Sequence, residues 1–174
     1  MDINIFISED YKSLPFKVLK QAAFIRWGTQ GRKYVARDVK FLRRNPPCFA
    51  GFMSFYLFAQ IGGKVVGFAQ FFQDENNDTT WFYGDLEVLP EYRRQGIALR
   101  MLEYVLNALE GKQAARLLTF VHGENEPSIK LHEKLGFALA KDQGIKNPYA
   151  GEGTLVYEYK ILCDRPKGGL LSSQ

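Results

Sequence analysis

Between residues 54 and 121 the period of the hydrophobic pattern changes twice, and this restricts the fold more than any other feature of the chain. The runs "SFYLFAQ" and "KVVGFAQFF" are strand-like and flank Gly62 and Gly63. A two-residue glycine turn between such runs predicts a β-hairpin. After the polar turn "QDENND", "TTWFYGDLEV" continues the meander as a third strand. Beyond Pro90 the period becomes helical, with Ile97, Met101, Leu102, Val105, Leu106 and Leu109 on one face. "ARLLTFV" then reads as a buried strand, and an apolar run after a crossover helix predicts parallel pairing. A meander that runs on into a βαβ unit requires a mixed sheet covered by helices.

The flanks agree with that plan. "INIFI" is a short strand, and "PFKVLKQAAFIRW" and "RKYVARDVKFLRRN" have helical spacing. The second of these puts Tyr34, Val35, Val39 and Leu42 on one side and is stopped by Pro46 and Pro47. "EPSIKLHEKLG" is a short helix with Pro127 in its first turn and Gly136 at its C-cap. "FALAKD" and "GTLVYEYKIL" close the sheet. The expectation is one α/β (α+β) domain over residues 1–162, followed by a loose tail at 163–174.

The acidic N-terminal stretch is no signal peptide, and "AGFMSFYLFAQI" is too short to span a bilayer. We therefore expect a cytoplasmic chain with no membrane partner. Cys48 and Cys163 lie far apart without zinc-type spacing, so free thiols and no metal are expected.

At the junction "EYRRQGIALRML" two arginines, Gln95 and Gly96 stand where the helix begins. A helix N-terminus with free N–H groups binds anions, and Gly96 lets a phosphate approach the backbone. Arg93 and Arg94 add charge in a planar fork suited to phosphate oxygens. Neither a Walker A loop nor GxGxxG is present. On local chemistry alone, an exposed strand-to-helix loop with incidental arginines remains an equal reading.

The family pattern separates the two. "YRRQGIALRML" resembles the acetyl-CoA signature [QR]xxGx[GA] of the GCN5-related N-acetyltransferases, with Arg93, Gly96 and Ala98 at the fixed positions. "GDLEVLPEY" before it and "NEPSIKLHEKLGF" after it resemble the neighbouring family segments, and their arrangement is similar to the diamine acetyltransferase-like branch. The resemblance implies acetyl-CoA as co-substrate, with Arg94, Gln95, Gly96, Ile97, Ala98 and Leu99 wrapping the CoA diphosphate. It further implies that the backbone of Leu86, Glu87 and Val88 pairs with pantetheine like an added strand, and that Asn125 and Ser128 lie beside it.

Where the family often carries a tyrosine that protonates the departing thiolate, this chain has His132. Ser128 and His132 are four apart and share a helix face, so His132 either reaches the cleft or is a helix-surface histidine replacing the tyrosine. The positions that supply a base in several relatives are Phe82 and Gly84 here, and neither accepts a proton. Asp85 and Glu87 are the nearby candidates. Strand alternation puts both on the face opposite Phe82 and Gly84, so a water chain to Asp85, Glu87 or Tyr83 would be needed.

The implied partner is a small-molecule or peptide amine, with homodimerisation a family-level expectation. From Arg26 to Arg44 the chain has Arg26, Arg32, Lys33, Arg37, Lys40, Arg43 and Arg44 against Asp38 alone. That stretch is either a solvated face or a site for an acceptor with a carboxylate or phosphate, and it speaks against polyamines. Phe16, Phe24, Trp27, Tyr34 and Phe49 are expected in the core or in an aromatic pocket. No aromatic–basic interleaving of an RNA-binding sheet appears. The competing function is a non-catalytic domain that keeps the CoA cleft as a sensor or interaction surface.

Overall fold

The computed structural model describes residues 2–9, 14–44, 53–143, 145 and 152–161, with side chains of 29 and 41–44 excepted. Pro46, Pro47, Cys48, Phe49, Cys163 and the expected tail lie outside these residues. The described elements are β1 (Asn4–Ser8), α1 (Phe16–Trp27), α2 (Arg32–Arg44), β2 (Ser54–Ile61), β3 (Lys64–Gln73) and β4 (Thr80–Val88). They continue with α3 (Ile97–Glu110), β5 (Arg116–His122), α4 (Glu126–Lys134), β6 (Ala138–Leu139) and β7 (Thr154–Lys160).

Seven strands form one sheet in the order β1-β2-β3-β4-β5-β7-β6. Gly62 and Gly63 both have positive φ, 56° and 75°, as the tight turn between β2 and β3 requires. The β4–β5 pair is parallel, as the crossover predicts, and every other pair is antiparallel. The closing strands are not in chain order, because β7 lies between β5 and β6.

One face of the sheet carries α3, whose Ile97, Met101, Leu102, Val105, Leu106 and Leu109 are the predicted apolar stripe and are all buried. They pack on Phe55, Leu57, Trp81 and Tyr83, with α4 joining through Ile129, Leu131 and Leu135. The opposite face carries α1 and α2, where Val18, Leu19, Ala22, Ala23 and Val39 cover Tyr56, Phe58, Val65 and Phe68. Phe16 and Phe24 are more than half exposed, 55% and 57%. They point away from the core because α1 buries the stripe 18, 19, 22 and 23 instead.

Among the described residues no helix is long and apolar enough to cross a membrane. Likewise, no cluster of three His, Cys, Asp or Glu residues among them could hold a metal.

Candidate active site

The cleft begins where two parallel strands part. Residues 80–83 of β4 pair with 116–119 of β5, ending at Tyr83↔Thr119. Past that point β4 runs on to Val88 against β3, and β5 runs on to His122 against β7. The β5-facing edge of β4 therefore lacks its strand partner beyond Tyr83, and backbone N–H and C=O groups left so need a ligand or water.

At the far end of β4, a 3-10 turn at Pro90–Tyr92 leads into α3. Arg94 and Gly96 both adopt left-handed backbone, φ 63° and 76°. Gly96 is the N-cap of α3, which has no side-chain cap and no acidic residue in its first turn. A Cβ built at Gly96 meets nothing within 4 Å. The first-turn amides of Ile97, Ala98 and Leu99 are thus at an open, positively polarised helix end. Arg93 uses Nε to bond the Val88 carbonyl at 2.8 Å and extends a terminal nitrogen to 3.6 Å from Glu87. Gln95 bonds the Glu91 carbonyl at 3.2 Å, which holds the loop in its bend. These residues suit a diphosphate, and the open β4 edge suits a chain with alternating amides.

A β-bulge corrects the expected facing of the acids. The β3–β4 register passes from Gln70↔Gly84 directly to Phe68↔Glu87, so Asp85 and Leu86 together oppose one residue of β3. Asp85 absorbs the extra residue with φ 54°, a conformation aspartate tolerates better than most side chains. Cross-strand partners share a face, and Glu87 therefore lies on the same face as Phe82 and Gly84, not opposite them. Asp85 also turns to that face, where its Oδ2 accepts from Arg26 of α1 at 2.7 Å. Burial pushes the Glu87 carboxyl above its ordinary value, against the pull of Arg93, and the Asp85 charge adds to the rise.

His132 lies on the other face and is buried, 2% exposed. Asn125 caps α4 by accepting from the Ser128 amide at 3.3 Å. At the opposite end, Phe137 N–H donates to the His132 carbonyl and Gly136 N–H to the Glu133 carbonyl, a Schellman closure. That closure sets Phe137 edge-on to the His132 ring at 5.1 Å. His132 Nδ1 is 2.6 Å from the Ser128 carbonyl, which can only accept, so Nδ1 carries the hydrogen. Nε2 is then the acceptor for the Tyr83 phenol. The Ser128 hydroxyl is 3.4 Å from Nδ1, so the shared helix face is real, but both ring nitrogens are engaged inside the molecule. Tyr83, a fringe candidate in the sequence, is the partner that neither spacing nor motif indicates.

Burial lowers the His132 pKa below its ordinary 6.5, partly offset by the Ser128 bond. The unfolded chain therefore takes up the proton first on acidification. Stability from the neutral ring is complete above about pH 6.5 and is lost as the pH falls through the lower folded value. We expect the stability advantage of wild type over His132→Gln to narrow as the pH falls below about 6.5, at a slope bounded by about 1.4 kcal/mol per pH unit. Denaturant midpoints measured on either side of that pH check this, and a constant difference would contradict it.

The model of the acetyltransferase (GNAT) family matches residues 17–137. The ribosomal protein bS18-alanine N-acetyltransferase of Escherichia coli (strain K12) is 36% identical over 75 residues, 43% of this chain and 49% of that protein. The chain thus spans about half the length of the first curated relatives it matches. An acetyltransferase of Sodalis glossinidius is 27% identical over 139 residues, 80% of this chain and 88% of its own length. Among solved structures, a GNAT-family protein of Desulfovibrio desulfuricans superposes with TM-score 0.68 at 14% identity, over 92% of this chain and 100% of the other. The Escherichia coli ribosomal-protein-S18-alanine N-acetyltransferase gives 0.63 at 20% identity, over 96% and 100%. At these identities the superpositions establish the fold.

Proposed function

The chain belongs to the acetyltransferase (GNAT) family, and from that premise we propose that it transfers the acetyl group of acetyl-CoA directly to a primary amine in a ternary complex. The observation that carries this reading is the parting of β4 from β5 after Tyr83, beside a helix end with no cap of its own. Acetyl-CoA supplies the activated thioester. Arg93, Arg94 and the first-turn amides from Gly96 to Leu99 bind its diphosphate, while Leu86 to Val88 align its amide chain along the open edge. Asn125 and Ser128 border that chain from the start of α4. Asp85 and Glu87 face the acceptor side, and Glu87, with its raised pKa, is the better placed to take a proton from an incoming ammonium.

For the acceptor we propose a peptide α-amine, the group acetylated by the relative named as an alanine N-acetyltransferase. The cation inventory supports this once corrected for geometry. Arg26 is committed to Asp38 and Asp85 and contributes no free charge to a substrate. Arg32, Lys33, Arg37 and Lys40 are exposed on α2, where an anionic segment of the acceptor would meet them some way from its amine. A diamine gains nothing from that surface, so the motif resemblance to diamine acetyltransferases does not extend to the substrate.

Thiol release from acetyl-CoA with an amine panel, followed by mass analysis, tests the proposal. Peptides with a free α-amine and downstream acidic residues should be acetylated faster than spermidine, with an advantage that shrinks at high salt. Efficient spermidine acetylation would overturn the acceptor assignment. The second reading, a non-catalytic CoA sensor, draws support from the engagement of both His132 nitrogens. It would gain if acetyl-CoA bound and no amine released thiol.

A further inference from the structure

The side chain of Arg26 lies almost wholly inside the protein, 12% exposed, and holds two carboxylates at once. Its NH1 bonds both oxygens of Asp38 on α2, at 2.8 and 3.1 Å. Its NH2 bonds Oδ2 of Asp85 at 2.7 Å, 59 residues away on the β4 bulge. The guanidinium stands over the rings of Trp27 and Phe68, 5.6 and 5.5 Å from their centroids. One cation between two carboxylates leaves the group one negative charge in excess. Asp38 is buried, with 8% of its side chain exposed, whereas Asp85 is 47% exposed. The surplus charge therefore faces solvent through Asp85, whose Oδ1 has no partner among the described residues. Asp85 stands two residues past the last β4–β5 pair, Tyr83↔Thr119, and so at the mouth of the cleft.

We propose that Arg26 is a positioning residue: it clamps the left-handed bulge of β4 to α1 and α2 and aims the free oxygen of Asp85 at the acceptor amine. A lysine would keep the charge but not the planar fork that spans two carboxylates. Arg26 would then act chiefly on the acceptor, because it touches nothing in the diphosphate loop and reaches the CoA-facing edge only through the bulge that ends at Leu86. The inference rests on the proposed transferase reading, but its structural half does not depend on turnover.

The experiment compares wild type with Arg26→Gln, Arg26→Lys, Asp85→Asn and the double variant Arg26→Gln/Asp85→Asn. Kinetics with the best amine, calorimetry with acetyl-CoA and backbone amide NMR are the readouts. Arg26→Gln should lower kcat/KM for the amine by roughly tenfold or more, with acetyl-CoA affinity within about twofold of wild type. Arg26→Lys should fall between. In the Asp85→Asn background, Arg26→Gln should cost less than about threefold, because the two residues act as one. The amides of Asp85 and Leu86 should shift in both Arg26 variants while those of α3 stay in place. Additive losses, a matching loss of acetyl-CoA affinity, or unmoved Asp85 and Leu86 resonances would each overturn the proposal. If wild type acetylates no amine, the transferase reading fails, and the NMR shifts still decide whether Arg26 sets the bulge. Should Arg26→Gln not fold, Arg26→Lys supplies the same shifts.

Discussion

Gly96→Glu is expected to abolish CoA binding in a protein that stays folded. A side chain at residue 96 has room, since nothing lies within 4 Å of a built Cβ, so packing does not suffer. The backbone does resist: φ of 76° costs a non-glycine residue about 1–2 kcal/mol, a sum an ordinary domain survives. What the substitution changes is the electrostatics of the helix end. The open end of α3 attracts anions, and a tethered carboxylate would occupy the position that a diphosphate needs, adding like-charge repulsion. A loss of at least about 100-fold, or about 2.7 kcal/mol, is expected. Gly96→Ala carries the same backbone strain without charge or bulk, and should lose no more than about tenfold. Calorimetry with CoA on both variants separates strain from occupancy. Unchanged affinity in Gly96→Glu would remove the diphosphate from this loop.

His132→Ala is expected to destabilise the fold by about 2–4 kcal/mol, through a cavity and an orphaned phenol. The ring packs on Phe137, Tyr157 and Tyr83 and accepts from the Tyr83 hydroxyl. Tyr83→Phe alone should cost about 1–3 kcal/mol, because it leaves a buried imidazole nitrogen unpaired. Replacing both partners with apolar rings, as Tyr83→Phe/His132→Phe, should cost clearly less than Tyr83→Phe and His132→Phe together. Denaturant midpoints for the four proteins settle it, and strictly additive costs would mean that the pair does not exist. The same pairing constrains any role for His132 in catalysis. With Nδ1–H held by the Ser128 carbonyl and Nε2 by a phenol, the resting ring offers no hydrogen to a departing thiolate unless one of those bonds opens.

The parts of this protein that local chemistry determines were readable from the chain. The stripe from Ile97 to Leu109, the Gly62-Gly63 hairpin and the parallel crossover each follow from periodicity or turn stereochemistry acting over a few residues. The loop proposed to bind the diphosphate stands out for the same reason, since its glycine and arginines are neighbours in sequence. What escaped depends on distant partners. Alternation put Asp85 and Glu87 on the wrong face because a bulge at a non-glycine residue leaves no mark in the pattern; only the register with β3 reveals it. Arg26 counted as one of seven free cations because its carboxylates lie 12 and 59 residues away. Tyr83 and His132 meet across 49 residues, and no spacing rule connects a strand residue with a helix residue at that separation. Phe16 and Phe24 were assigned inward on hydrophobicity alone, although the buried stripe of α1 is aliphatic.

The most direct test of the CoA cleft is an amide NMR titration of the wild-type protein with acetyl-CoA. Saturable shifts should concentrate in three stretches that are far apart in sequence: 84–88 on the free edge of β4, 93–99 around the start of α3, and 125–128 at the start of α4. Shifts confined to the exposed cations of α2, or an absence of saturable shifts in the first two stretches, would contradict the assignment of the β4–β5 cleft to acetyl-CoA.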